Sequence, residues 1–325
     1  MRIARFSHNG EVSYGLVLGA ESAAEVPGPA AGPSTANGTA TATGAGTATG
    51  AGTANRAGTA NRAVSAVSGS LSGPPDPDPL GHEGSQLMIA QLAGHPFGGR
   101  EEDIKLTSIR FALADVRLLA PILPSKVICI GKNYADHARE MGGEPPEEPV
   151  IFLKPSTAVC GPGDPIFRPT QISERTDYEG ELAVVIGRLC RQVTADRVDE
   201  VIFGYTCAND VTARDLQARD GQWTRAKGFD TFCPLGPWIE TDVDPADLAI
   251  TTRLNGEVRQ DSRTSLLLHD VRSLVMFASQ VMTLLPGDVL LTGTPAGIGP
   301  MDKGDQVSVT IEGIGTLSNL VTDRD

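Results

Sequence analysis

Apolar residues along this chain fall mostly in short runs broken by glycine and proline, and once in a long stretch with helical rhythm. Short runs of that kind read as strands. MRIARF and VSYGLVLG flank Asn9-Gly10, a dipeptide that favours a two-residue hairpin turn. SQLMIAQLAG and IRFALADVRLLAPI add further strands, and Lys126 to Gly131 another. Asn133 to Met141 has the pattern of a short helix, with Asn133 as its cap and Gly142-Gly143 as its stop. PVIFLKP, DYEGELAVVIG, VIFGYTCANDVTARD, CPLGPWIETD, ITTRLNGEVRQ and PGDVLLTGTPAG are mostly strands, and LLLHDVRSLVMFASQVMTLL is the one long amphipathic helix. Strands without a regular helix between each pair argue against a doubly wound sheet. They predict an α+β fold built on a rolled, mixed β-sheet.

From about residue 27 to about residue 84 the chain turns to Ala, Gly, Thr, Ser and Pro, with the repeat TATGAG, TATGAG, TANRAG, TANRA from Thr41 to Ala63. A β-helix needs an apolar side chain per turn to stack, and this repeat offers none beyond Ala and the Thr methyl, so the composition predicts disorder. The expected organisation is a small β-rich N-terminal domain, 1–119, interrupted by this insertion, and a main domain, 120–325, that holds the chemistry.

Composition narrows the function. A net charge of -13 without a basic cluster argues against nucleic acid, since phosphate binding draws on grouped Lys and Arg. Cys129, Cys160, Cys190, Cys207 and Cys233 are an odd set with no CxxC spacing, which suggests core residues in a reducing compartment. The start, MRIARFSHNG, lacks the apolar core of a signal peptide, and no run is long enough to span a bilayer. The expectation is a cytoplasmic protein with no membrane partner.

The informative stretch is DYEGELAVVIG. Residues two apart on a strand share a face, so Glu179 and Glu181 stand side by side where an apolar strand begins. Burying two like charges costs several kcal/mol unless something compensates. Asp210, at the end of VIFGYTCAND, reads most simply as a helix cap. If it instead meets the glutamates, three carboxylates form a site for a hard divalent cation, Mg²⁺ or Mn²⁺, with coordination positions open for substrate. His137 and Glu140, three apart on the short helix, share a face, so the carboxylate can orient the imidazole.

The blocks GKNYADHA, PVIFLKPST, DYEGELAVVIG, GYTCANDVTARDLQ, WTRAKGFDTFCPLGPW and LLTGTPAGIG occur in an order and spacing that closely resemble the fumarylacetoacetate hydrolase superfamily. The likeness covers nearly all of the main domain and is strongest to bacterial acylpyruvate hydrolases, oxaloacetate decarboxylases and hydroxyheptadienedioate isomerases. It implies metal ligands at Glu179, Glu181 and Asp210, a lysine near metal and substrate at Lys227, and a catalytic dyad at His137 and Glu140. It implies a substrate-carboxylate contact at Thr294, with Lys154 and Gln222 as further substrate-binding candidates, and a homodimer. His269 and the cysteines take no part.

The resemblance implies enolate chemistry on a small 2-oxo dicarbonyl acid. Hydrolytic C–C cleavage of an acylpyruvate comes first, because the dyad is complete. Oxaloacetate decarboxylation and dienedioate isomerisation in aromatic catabolism follow. A non-catalytic binding protein of this fold would be expected to have lost a ligand or the lysine, and this sequence keeps them all.

Overall fold

The computed structural model describes residues 1–19, 87–97 and 104–324. The low-complexity stretch, with its predicted disorder, lies outside the described residues. The main sheet runs, in spatial order, Leu106–Ala112, Met88–Leu92, Glu11–Leu18, Arg2–His8, Cys233–Glu240, Ile202–Asn209, Gly180–Ile186, Val289–Leu291, Val127–Gly131 and Val150–Lys154. Neighbours are antiparallel except Val289–Leu291 and Val127–Gly131, which run parallel. A second sheet orders Glu257–Arg263, Ala249–Leu254, Gln306–Ile311, Gly315–Asp323 and Ile166–Arg168, again with one parallel pair. A small third sheet joins Thr212–Ala213, Thr176–Tyr178 and Gly299–Pro300. The architecture is the mixed α+β fold that the pattern predicts.

Local chemistry explains the elements. Asn9 and Gly10 both take positive φ, 51° and 86°, as a two-residue turn between twisted strands requires. Arg2–His8 pairs with Cys233–Glu240, so the N-terminal strands extend the main sheet, and Phe6, Val17 and Ile89 pack with Trp238. The long helix is Val271–Val281. It buries Val271, Leu274, Val275, Ala278 and Ser279, one face of a 3.6-residue period, and its Asp270 cap accepts a 2.8 Å hydrogen bond from the Ser273 amide. That face joins Leu182, Val184 and Ile186 of the central strand and Val309 and Ile311 of the second sheet in one core cluster. The strand Gly180–Ile186, which carries Glu181, is buried along its whole length because a core lies on each of its faces.

Asn133 does not cap the short helix, which spans Ala135–Glu140 and begins without a side-chain cap. Its amide instead donates to the carbonyls of His269 at 2.9 Å and Thr292 at 2.8 Å, and accepts from the His269 amide at 2.9 Å. This clamp fixes the approach to the helix against two distant loops. Among the described residues no helix is long and apolar enough to cross a membrane.

Candidate active site

Glu179 sits in the break between the strands Thr176–Tyr178 and Gly180–Ile186, and Glu181 two residues on. Strand register pairs Gly180 with Asn209 and Glu181 with Ala208, which carries Asp210 alongside Glu179. The Asp210 amide donates to the Glu179 carbonyl at 2.8 Å, and the Asn209 side chain accepts from the Glu179 amide at 2.9 Å. One oxygen from each of Glu179, Glu181 and Asp210 lies within 4.8 Å of the others, and all three side chains are buried. Asp210 therefore belongs to the carboxylate cluster and caps no helix; the next one begins at Arg214.

Cations surround the cluster unevenly. The Lys227 ammonium donates to Glu179 Oε2 and Asp210 Oδ2, each at 2.7 Å. Lys154 reaches Asp210 Oδ1 at 2.5 Å and the Val211 carbonyl at 3.0 Å. Arg214 donates to Glu179 Oε1 at 2.5 Å while its Nε holds Asp177 at 2.9 Å. Glu181 has only the Gly293 amide, at 2.7 Å, as a hydrogen-bond partner among the described residues.

The electrostatics follow from that asymmetry. Burial would raise Glu179, but Lys227, Arg214 and His137 outweigh it and hold the carboxyl well below its usual range. Burial, then Asp210 and Glu179, push Glu181 far above that range. Lys227 is lowered by burial but raised on balance by Asp210 and Glu179, so it keeps its charge.

His137 and Glu140 lie on the Ala135–Glu140 helix at the rim, with His137 Nδ1 3.2 Å from Glu140 Oε2. The other Glu140 oxygen accepts from the Gly297 amide at 3.0 Å, fastening the helix to the 293–297 loop. Tyr178 donates to the Gly297 carbonyl at 2.9 Å from below. His137, Thr294, Lys227 and the carboxylate trio line one cavity.

The remaining candidates fall differently. Lys154 is 1 % exposed and bonds Asp210 without itself lining the cavity. Gln222 is exposed; its neighbour Trp223 lines the cavity, edge-on to Phe152 with ring centroids 5.2 Å apart. The five cysteines are free thiols, four of them buried and Cys190 half-buried. Sequence reasoning missed Arg214, Gln217, Lys132 and Trp223, which also line the cavity. Lys132 holds φ at 58°, a conformation that a lysine rarely adopts. The signal within reach was Arg214, four residues beyond Asp210.

Comparison with known proteins places this geometry. The sequence profile described as fumarylacetoacetate (FAA) hydrolase C-terminal matches residues 126–322. The chain belongs to the fumarylacetoacetate hydrolase family. A second profile, Rv2993c-like, N-terminal, matches residues 1–47 and 83–121. Protein Rv2993c of Mycobacterium tuberculosis is 59% identical over 242 residues, 74% of this chain and 89% of that protein. Oxaloacetate tautomerase YisK of Bacillus subtilis is 43% identical over 231 residues, 67% of this chain and 77% of that protein. Among solved structures, 5-carboxymethyl-2-hydroxymuconate delta-isomerase from Mycobacterium smegmatis matches with a TM-score of 0.74 at 45% identity, covering 100% of both chains. Maleylpyruvate hydrolase from Sphingobium sp. SYK-6, in complex with manganese(II) and pyruvate, matches with a TM-score of 0.59 at 36% identity, covering 68% of this chain and 78% of that one. The chain is thus an enzyme of a family whose members act on small carboxylic acids.

The trio fits a hard divalent cation. Its donors are carboxylate oxygens, the ligands that Mg²⁺ and Mn²⁺ prefer, and Glu181 is a buried carboxylate that forms no salt bridge among the described residues.

Proposed function

We propose that this enzyme moves a proton at the carbon next to the keto group of a small 2-oxo dicarboxylic acid, interconverting keto and enol forms as oxaloacetate tautomerisation does. The observation that carries this reading is that His137, its ring held by Glu140, lines the same cavity as the carboxylate trio. A cation held by Glu179, Glu181 and Asp210, Mg²⁺ or Mn²⁺, supplies a Lewis acid toward the 2-oxo and carboxylate oxygens.

The chain's own residues do the rest. Glu140 accepts from the Nδ1 proton of His137, which leaves Nε2 basic and free to take or return a proton within the cavity. Because the second Glu140 oxygen is held by the Gly297 amide, the imidazole keeps its orientation when the helix lies against the loop. Lys227 and Arg214 place positive charge on the cavity wall, and Lys132 adds a third cation there, a pattern suited to an anion with two carboxylates. Phe152 and Trp223 close one side with aromatic surface and reduce access of water.

A second reading is the hydrolytic cleavage of an acylpyruvate, favoured by the likeness to maleylpyruvate hydrolase. There the same imidazole activates water against the distal carbonyl, and a pyruvate enol leaves. One experiment separates the readings. Metal-stripped protein, with and without Mn²⁺, is given enolic oxaloacetate and, separately, acetylpyruvate, and both ultraviolet absorbance and pyruvate release are followed. Mn²⁺-dependent loss of the enol signal without pyruvate supports tautomerisation. Mn²⁺-dependent pyruvate from acetylpyruvate at a faster rate replaces it with hydrolysis.

A further inference from the structure

Gln260 lies on the strand Glu257–Arg263 of the second sheet, at a position the chemistry above does not use, and it is 1 % exposed. Its Oε1 accepts the amide proton of Gly180 at 2.9 Å. Its Nε2 donates to Thr294 Oγ1 at 2.7 Å and to the Pro295 carbonyl at 2.8 Å. Thr294 closes the circuit by donating from Oγ1 to the Gly180 carbonyl at 2.9 Å. The residue between the two glutamates is therefore held at its N–H by Gln260 and at its C=O by a hydroxyl that Gln260 itself orients.

Gly180 has no room to find another pose. A Cβ there would stand 2.0 Å from Thr252 Oγ1 and 3.2 Å from Gln260 Oε1. The same ring reaches Glu181 from its other side, because the loop that Gln260 ties down carries the Gly293 amide bonded to Glu181 Oε2. The loop continues to Gly297, whose amide holds Glu140. Three hydrogen bonds from one amide thus connect the second sheet to both halves of the site: the glutamate pair, and the loop that anchors the dyad.

We infer that Gln260 is a positioning residue, which fixes the spacing of Glu179 and Glu181 and the seat of the 293–297 loop, and so sets divalent-cation affinity and dyad alignment together. The amide is suited to this because it accepts on one side and donates twice on the other, which neither a carboxylate nor an aliphatic chain of its length can do. A buried donor or acceptor left without its partner shifts toward a new one, and here each shift would move a ligand backbone. The inference rests on the reading that the trio holds a cation.

The test uses the full chain and Mn²⁺ alone as the probe. Calorimetric titration gives its Kd for wild type and for Gln260→Met, with far-ultraviolet circular dichroism and thermal unfolding showing that both are folded at the titration temperature. The expected result is a Kd raised at least tenfold in the folded variant, with kcat at saturating Mn²⁺ also reduced at least tenfold. An unchanged Kd in a folded variant, with wild type binding normally, overturns the inference. Failure of wild type to bind Mn²⁺ overturns the cation reading instead. If Gln260→Met does not fold, Thr294→Val breaks the same ring from the loop side and is judged by the same Kd. Loss of folding in both assigns Gln260 a purely structural role and also overturns the inference.

Discussion

Glu181 is the side chain on which structure and chemistry pull in opposite directions. It is 2 % exposed with one backbone hydrogen bond, so its charge is poorly compensated by the protein alone. Glu181→Gln keeps the shape and removes the charge. Mn²⁺ affinity should fall on the order of a hundredfold or more, whereas the metal-free protein should become more stable by about 1–3 kcal/mol. Calorimetry and thermal unfolding without metal check the two halves, and a variant that is both metal-competent and less stable would contradict the assignment. His137 gives the complementary case. It faces the cavity but bonds to none of the trio, so His137→Ala should cut turnover by about 100- to 10,000-fold while leaving the Mn²⁺ Kd within about twofold of wild type. A parallel loss of metal binding would mean that the dyad and the ligands are one structural unit.

At the scale of single elements, local signals and long-range contacts divide the explanation. The Val271–Val281 helix needs only its own sequence: an apolar stripe and an aspartate cap. The Ser273 backbone and side chain hold Asp270 below its ordinary 3.8. A lowered carboxylate contributes stability above its unfolded value, and that contribution is lost as pH falls through the folded one. Asp270→Ala should therefore cost about 1 kcal/mol at about pH 7, and the difference should be smaller at about pH 3. Urea unfolding at both values tests this; a pH-independent loss would point to packing. The Ala135–Glu140 helix shows the opposite balance. Asn133 has the chemistry of a cap, yet carbonyls 136 and 159 residues away take its amide protons. Cap propensity is worth about 1 kcal/mol, less than two buried hydrogen bonds whose loss would strand polar groups. Nothing local in the sequence announces that competition.

Across the whole molecule the same division decides what was legible. The hairpin, the fold class and the glutamate pair rest on periods of two and 3.6 residues, which a sequence displays directly. Arg214 and Glu179 are 35 residues apart, and Gln260 and Gly180 are 80 apart, and only strand register and sheet packing bring them together. Register also governs the insertion at about 27–84. Glu11–Leu18 and Met88–Leu92 are antiparallel neighbours, with Leu18 opposite Met88, so the chain leaves one strand and enters the next at adjacent points. The N-terminal profile likewise skips from residue 47 to residue 83. Replacing residues 27–84 with a short Gly-Ser turn should therefore preserve the strand pair, because joining neighbouring strand ends needs only a few residues. The strands it joins lie outward of Arg2–His8 in the main sheet, with Cys233–Glu240 and Ile202–Asn209 between that strand and the one carrying Glu181. The shortened chain should keep kcat and the Mn²⁺ Kd within about twofold of the full chain, and should unfold in a single transition. A large fall in kcat with the Mn²⁺ Kd unchanged would give the insertion a role at the cavity; a loss of folding would make it part of the N-terminal sheet.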